Sequence, residues 1–199
     1  ISPAKRRDLK DWDRDMPNLS TPQWTDDVTR LADLARSLDV EDYQRLMHIS
    51  AKQAAEVNGY YDAFAFPHTP DNAKPASFMF AGDTYVGLDA PSLSAKDLAY
   101  AQDHLRIISG LYGQLRPLDL VRPFRLDMGT RLQNPEGKDL YAYWGNKIAD
   151  ALQAQMKAVK AKALVNLASI EYFKAAHGDV LAERGIRVIT PSFKEIRDN

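Results

Sequence analysis

The chain has 199 residues, 45% of them hydrophobic, with a net charge of −1 and a pI near 6.5. That length suffices to bury a proper core in one domain, while near-neutral charge confines any contact with nucleic acid to a local patch. Zero cysteine excludes disulfides, thiolate iron–sulfur ligation and thiolate nucleophiles, and no run of about 18 apolar residues is present to span a membrane.

Ile1 to Lys5 reads as the tail of a strand entering a tight loop, and the polar stretch 6–20, with Pro17, as irregular. A helix is expected from Thr21-Pro22, a capping residue followed by proline at the first helical position. Its apolar face would be Val28, Leu31, Leu34, Ala35 and Leu38. Asp39 opens a second helix carrying Tyr43, Leu46 and Met47, and Ser50 with Gln53 forms a capping box for a third. Residues 67–76 read as loop, SFMF at 77–80 as a short strand and Ala81-Gly82-Asp83 as a turn. Ser94 with Asp97 starts a helix reaching about Ile108. Asn134 to Gly137 is a turn, and Leu140, Trp144, Ile148, Leu152 and Met156 predict one long helix. ALVNLA at 163–168 is expected as a buried strand, 171–176 as a short helix and Ile186–Thr190 as another strand. The alternation predicts a mixed α/β or α+β unit, rich in helix, around a central sheet.

The segment His104–Leu132 carries five arginines (Arg106, Arg116, Arg122, Arg125, Arg131) against two acids (Asp119, Asp127), a local balance of +3. Gly110 and Gly113 permit close backbone approach or positive φ. Pro117 and Pro123 each follow an arginine and hold it extended. Planar cations on stiff backbone suit phosphate or carboxylate recognition; the same arginines equally suit ion pairs with Asp119 and Asp127. Arg116 and Arg125 are expected to be exposed, so that their removal weakens binding at little cost in stability.

General motifs are scarce. His48, His68, His104 and His177 are scattered, which gives no metal-ligand pattern and disfavours iron handling. No P-loop, G-x-G-x-x-G or G-x-S-x-G occurs. The helix–loop–helix at 41–58 places Ser50 and Lys52 at a helix N-terminus, where amides and a lysine suit a phosphate, although a helical subdomain needs a capped turn there anyway. Asn166, Ser169, Glu171 and Tyr172 follow ALVNLA, either as ligand groups at a strand end or as caps of the next helix. Asp83 is expected inside, because its turn ends a strand.

Several segments resemble the YaaA family of bacterial peroxide-stress proteins, also called UPF0246. They are ISPAK at 1–5, LMHISAKQA at 46–54, FAGDTYVGL at 80–88, LRIISGLYGQLRPLDLVRPFRLDMG at 105–129, GKDLYAYWG at 137–145 and NLASIEYF at 166–173, in the family's order. The resemblance implies a cytoplasmic protein of the hydrogen peroxide stress response that binds double-stranded or distorted DNA; the residue pattern itself leads us to expect no cofactor and no metal. It implies a single YaaA-like domain over 1–199 with a positively charged cleft and a helix–hairpin–helix-like subregion at 39–66. Lys5, Ser50, Lys52, Arg106, Arg116 and Arg125 would contact the anion, beside the polar residues Tyr85, Asn166 and Ser169. Asp83 and Glu171 are the catalytic candidates if the cleft instead serves an enzyme acting on a nucleotide-like or other anionic small molecule. Arg6-Arg7 and Asn146 depart from the family pattern, and family members continue beyond the point matching Asn199 with a strand and a lysine-rich segment.

Overall fold

The computed structural model describes residues 1–13 and 15–192. Among these, the chain forms α1 (Thr25–Arg36), α2 (Val40–Met47), α3 (Ala51–Asp62), β1 (Lys74–Pro75), α4 (Ala76–Met79), α5 (Asp83–Leu88), a 3-10 turn (Ala90–Ser92) and α6 (Ala95–His104). It continues through β2 (Ile107–Ser109), β3 (Gly113–Leu115), β4 (Leu120–Val121), α7 (Leu140–Trp144), α8 (Lys147–Ala158), β5 (Leu164–Val165), α9 (Ile170–Lys174), α10 (Gly178–Glu183) and β6 (Val188–Ile189). None of these helices is long and apolar enough to cross a membrane.

The helix caps are written in short-range chemistry. Ser50 and Gln53 close a capping box on α3, as the sequence predicts, and Asp39, expected to open α2, forms a second capping box with Asp42. Four expectations need correction. The first helix starts at Thr25, not at Thr21-Pro22, because Trp24 turns inward to pack on Trp144, with ring centroids 5.4 Å apart. SFMF forms part of one helical turn, since residues 117–119 satisfy its leading amides: Ala76 N donates to Asp119 O at 2.9 Å and Ser77 N to Pro117 O at 3.0 Å. The helix from Ser94 ends at His104, where Arg106 Nη1 donates to Gln102 O and Leu105 O and binds the carbonyls left over at a helix C-terminus. The long helix is cut at Gly145, whose φ of +43° separates α7 from α8.

The structure is a mix of helices with small sheets, and the expected central sheet is replaced by three separate pairs. β1 and β4 pair antiparallel, with Lys74 opposite Val121; β2 and β3 pair antiparallel, with Ile107 opposite Leu115; β5 and β6 pair parallel, with Leu164 opposite Val188. Pro75 lies within the first pair, opposite Leu120, and Pro117 and Pro123 flank β4, which keeps the ladder short. Residues 1–5 form no named strand, although Ile1 runs beside β2, donating to Arg106 O at 2.8 Å and accepting from Ile108 N at 3.0 Å. ALVNLA is not buried as expected: β5 is two residues long and Val165 is 53% exposed.

The arginine segment is the spine of the core. Its apolar residues Ile107, Ile108, Leu111, Tyr112, Leu115, Leu118, Leu120, Val121, Phe124, Leu126, Met128 and Leu132 are all buried. The helices close around it. Tyr43 and Tyr61 from α2 and α3 stack nearly parallel, and Tyr143 Oη donates to Asp27 O at 2.8 Å, joining α7 to α1. Burial pushes the Asp27 carboxyl up, but hydrogen bonds from Lys147 and Arg30 outweigh it and hold the group below its usual range. His68 packs on Phe66 with its Nε2 3.0 Å from the Tyr112 hydroxyl, and burial pushes its imidazole down to about 4.

Two glycines let the spine fold upon itself. A Cβ on Gly110 would collide with the backbone carbonyl of Leu126, and Trp144 Nε1 donates to Gly110 O at 2.9 Å. Gly113, at φ +69°, leaves only 2.8 Å between an added Cβ and the rings of Trp24 and Trp144. Gly110→Ala should therefore cost about 3 kcal/mol or abolish folding. Gly59→Ala, inside α3 with open space around it, should gain about 0.5–1 kcal/mol. Urea denaturation separates the two; equal effects would contradict the crossing.

Candidate functional site

Arg7 ties three parts of the chain together. Its Nη1 donates to Phe124 O, its Nη2 lies 3.9 Å from Glu56 on α3, and its guanidinium sits 4.9 Å over the Tyr60 ring. Tyr61 Oη donates to Arg125 O at 3.0 Å, so α3 packs on the arginine segment from the same side. The N-terminal segment joins this seam through Lys5, which pairs with Asp127 at 3.5 Å while its side chain stays 70% exposed. Lys52 is exposed in the first turn of α3 and makes no ion pair among the described residues. Ser50 is spent on the cap, accepting from Gln53 N at 3.3 Å. Arg125 is half-buried, with its Nε enclosed and unpartnered. Thus Lys5, Arg125 and the helix bearing Lys52 meet along one seam. Arg7 was not among the residues singled out in the sequence; the Arg6-Arg7 pair directly after ISPAK was the available signal.

Next to this seam the predicted polar residues hold chain segments to one another. Tyr85 Oη donates to Ser2 O at 2.8 Å, and Ser169 N donates to Ser2 Oγ at 2.9 Å. Glu171 Oε1 accepts from Gly129 N at 2.7 Å, which leaves room for nothing larger than glycine at 129 without a shift of Glu171. Asn166 Oδ1 accepts from Ala168 N at 2.9 Å and its Nδ2 reaches Thr190 at 3.3 Å, so this buried amide caps a turn. Burial, with Asp127 and Glu171 adding to it, pushes the Tyr172 hydroxyl upward. Asp83 is a correction: it lies exposed in the first turn of α5, because Gly82 opens a helix where the end of a strand was expected. It shares no hydrogen bond with Asn166 or Glu171 among the described residues.

Arg106 and Arg116 are used elsewhere. Asp119 is 1% exposed and accepts from Arg116 N at 2.7 Å, Nε at 3.0 Å, Nη2 at 2.8 Å and the Ser20 hydroxyl at 2.7 Å. Arg116 Nη2 also donates to Thr21 O at 2.9 Å. The expectation that Arg116 can be removed at little cost is therefore corrected: it neutralises a buried carboxylate. Arg116 and Arg106 share a cavity of about 400 Å³ with Gln23, Gln114, Asp119, Gln155 and three alanines of α8. The two glutamines Gln114 and Gln155 carried no signal in the sequence.

Arg116→Ala should lower stability by about 2–3 kcal/mol, the lower end for a broken buried pair because the arginine itself is 38% exposed. Adding Asp119→Asn should recover part of that loss, measured by urea unfolding. Unchanged stability in the single variant would show that Asp119 does not depend on Arg116.

A family model described as "Peroxide stress protein YaaA" matches residues 1–199. The chain is 49% identical over 199 residues to a UPF0246 protein of Dinoroseobacter shibae, covering 100% of this chain and 72% of that protein. It is 48% identical over 200 residues to a UPF0246 protein of Saccharophagus degradans, covering 100% of this chain and 76% of that one. A UPF0246 protein of Jannaschia sp. is 48% identical over 196 residues, 98% of this chain and 72% of the relative.

Proposed function

The chain belongs to the peroxide stress protein YaaA family, also named UPF0246, and on that footing we propose that it binds duplex or distorted DNA through its basic seam. The reading puts the protein in the cytoplasm, where it limits damage to DNA during peroxide stress. The observation that supports it is the Arg7 knot, which ties the N-terminal segment to α3 and to the arginine segment at Phe124, next to Arg125 and close in sequence to Asp127, the partner of Lys5. Lys52 beside the amides of the α3 N-terminus offers a phosphate site of the kind helix hairpins use on backbone, although the α2–α3 turn runs through His48 in the left-handed region and holds no glycine. Lys5 and Arg125 extend the track. Contacts of this type read shape and charge, not base edges, so sequence preference is weak.

The carboxylate beside the seam agrees with a backbone-gripping role, since Asp127 is matched by Lys5. Glu171 accepts one hydrogen bond from the Gly129 amide and keeps its charge. An enzyme acting on a nucleotide-like or other anionic small molecule, the alternative reading, draws less support, since Asp83 and Glu171 lie on separate elements and share no hydrogen-bond partner among the described residues.

Duplex affinity should fall with salt along a log–log slope of about −3, the value for three or four phosphate contacts. Lys52→Ala should flatten the slope by about one and Lys52→Glu should weaken binding roughly tenfold, both without loss of stability. Fluorescence anisotropy with a labelled duplex at several salt concentrations measures both. Salt-independent binding, no binding, or an unaffected Lys52→Glu variant would sink the proposal.

A further inference from the structure

The helices that lead into β5 and β6, α8 and α10, end alike in all but one respect. At the end of α10 the amide of Gly185 donates to Ala182 O at 2.9 Å and that of Ile186 to Leu181 O at 3.0 Å. At the end of α8 the amide of Lys160 donates to Lys157 O at 3.2 Å and that of Ala161 to Met156 O at 2.9 Å. Both are Schellman closures, which put the residue after the cap in the left-handed region. Gly185 takes that place freely at φ +74°; after α8 the residue is Lys160, at φ +55°. A side chain there gives up stability that glycine would keep. Such an outlier is a reason to look for function.

Lys160 is one of five cations around a shallow cleft of about 280 Å³ between the two closures, with Lys157, Lys162, Arg184 and Arg187. Among the described residues one carboxylate lies within ion-pair distance of them: Asp150, 2.7 Å from Arg184 Nη1. Lys157, Lys160, Lys162 and Arg187 are exposed and make no ion pair among the described residues. The dipole of a helix end attracts a cation, and that alone accounts for Lys157 in the last turn of α8. It gives Lys160 no reason to stand where glycine fits better, and Lys162 and Arg187 lie beyond both helices.

The lining of the cleft narrows the ligand. Exposed cations hold a single small anion weakly in water, whereas a polyanion that meets several at once and releases its counter-ions gains useful affinity. No aromatic ring lines the cleft, so it lacks the platform on which single-stranded bases stack. Lysine is depleted at protein interfaces, which sets this lysine-rich surface apart from a protein-docking face. We propose that the cleft grips the phosphate backbone of a duplex as a second surface, so that one chain takes two short duplexes. It shares no residue and no element with the seam of Lys5, Lys52 and Arg125 and does not rest on that reading. Two helix C-termini beneath it, negative in partial charge, make it the weaker of the two surfaces.

Titration of the intact chain with a short labelled duplex at low salt, to saturation, tests this. The chain should take two duplexes, the second more weakly. Lys160→Glu combined with Lys162→Glu should weaken the second by at least roughly tenfold and leave the first unchanged; Lys52→Glu should do the reverse. A double variant that binds duplex as the parent does, in number and affinity, would overturn the cleft whatever Lys52→Glu does. A single duplex, lost in the double variant and kept in Lys52→Glu, would support the cleft and sink the seam alone. Lys160→Gly separates a functional lysine from a structural one. It should raise the melting midpoint by about 2–4 °C and weaken the second duplex roughly threefold. A lower midpoint, or a second duplex bound as before, would overturn the role of Lys160 and the proposal with it. Polyglutamate held at the cleft more tightly than duplex of equal charge would assign the surface to an acidic protein and overturn it also.

Discussion

The contact on which the rest of the structure depends is the backbone crossing of Gly110 and Leu126. There the arginine segment passes so close to itself that a single methyl group would force the two strands of chain apart. The crossing holds the buried side chains Ile107 to Leu132 in one layer and gives Trp144 a carbonyl to bind. With sheets only two strands wide, main-chain ladders hold little of this molecule; packing against that layer holds most of it. A large buried layer without an extended ladder depends on close fit, and this is why Gly110 and Gly113 are surrounded by backbone and indole rings.

The same constraint sorts the cations. A segment whose apolar residues all turn inward must send its arginines to the periphery, and the periphery is not uniform. Arg116 meets a carboxylate so deeply buried that the pair is structural. Arg106 is drawn to the end of α6, where its Nη1 binds two main-chain carbonyls. Lys5 pairs with Asp127 across a surface where such a bond is weak, on the order of 0–1 kcal/mol, and keeps an exposed side chain. The cations thus divide into Arg116 and Arg106, which hold chain segments together, and Lys5 and Arg131, which are exposed.

Local rules read well from the sequence and long-range ones did not. The helix start at Asp39, the capping box at Ser50 and the turn at Asn134 to Gly137 need only three or four neighbouring residues, and the structure has them where the spacing predicts. The glycines of the arginine segment were legible as points of close approach, but their partner is the chain's own backbone and rings. SFMF shows the limit: its composition suits a strand, while Asp119 and Pro117, some forty residues away, supply carbonyls to the amides of a helical turn. The break at Gly145 was hidden because four-residue apolar spacing continues across it. For the site, residue types announced basic recognition, yet which arginine is free depends on burial of Asp119, a property of the assembled core. Asp83 went wrong for the same reason as SFMF, since an expected strand that becomes a helical turn points its successor outward.

The central claim is that residues 107–121 are core and that only the margins of the arginine segment face a ligand. Hydrogen exchange read by mass spectrometry, with and without a short duplex, tests it most directly. The account predicts that amides of Ile107–Leu115 exchange only through global unfolding. Duplex should slow exchange at residues 48–54 and 122–127 and leave the spine unchanged. Rapid exchange across 107–115 in the free protein, with protection there on adding duplex, would mean that the segment is a binding loop and would contradict the account.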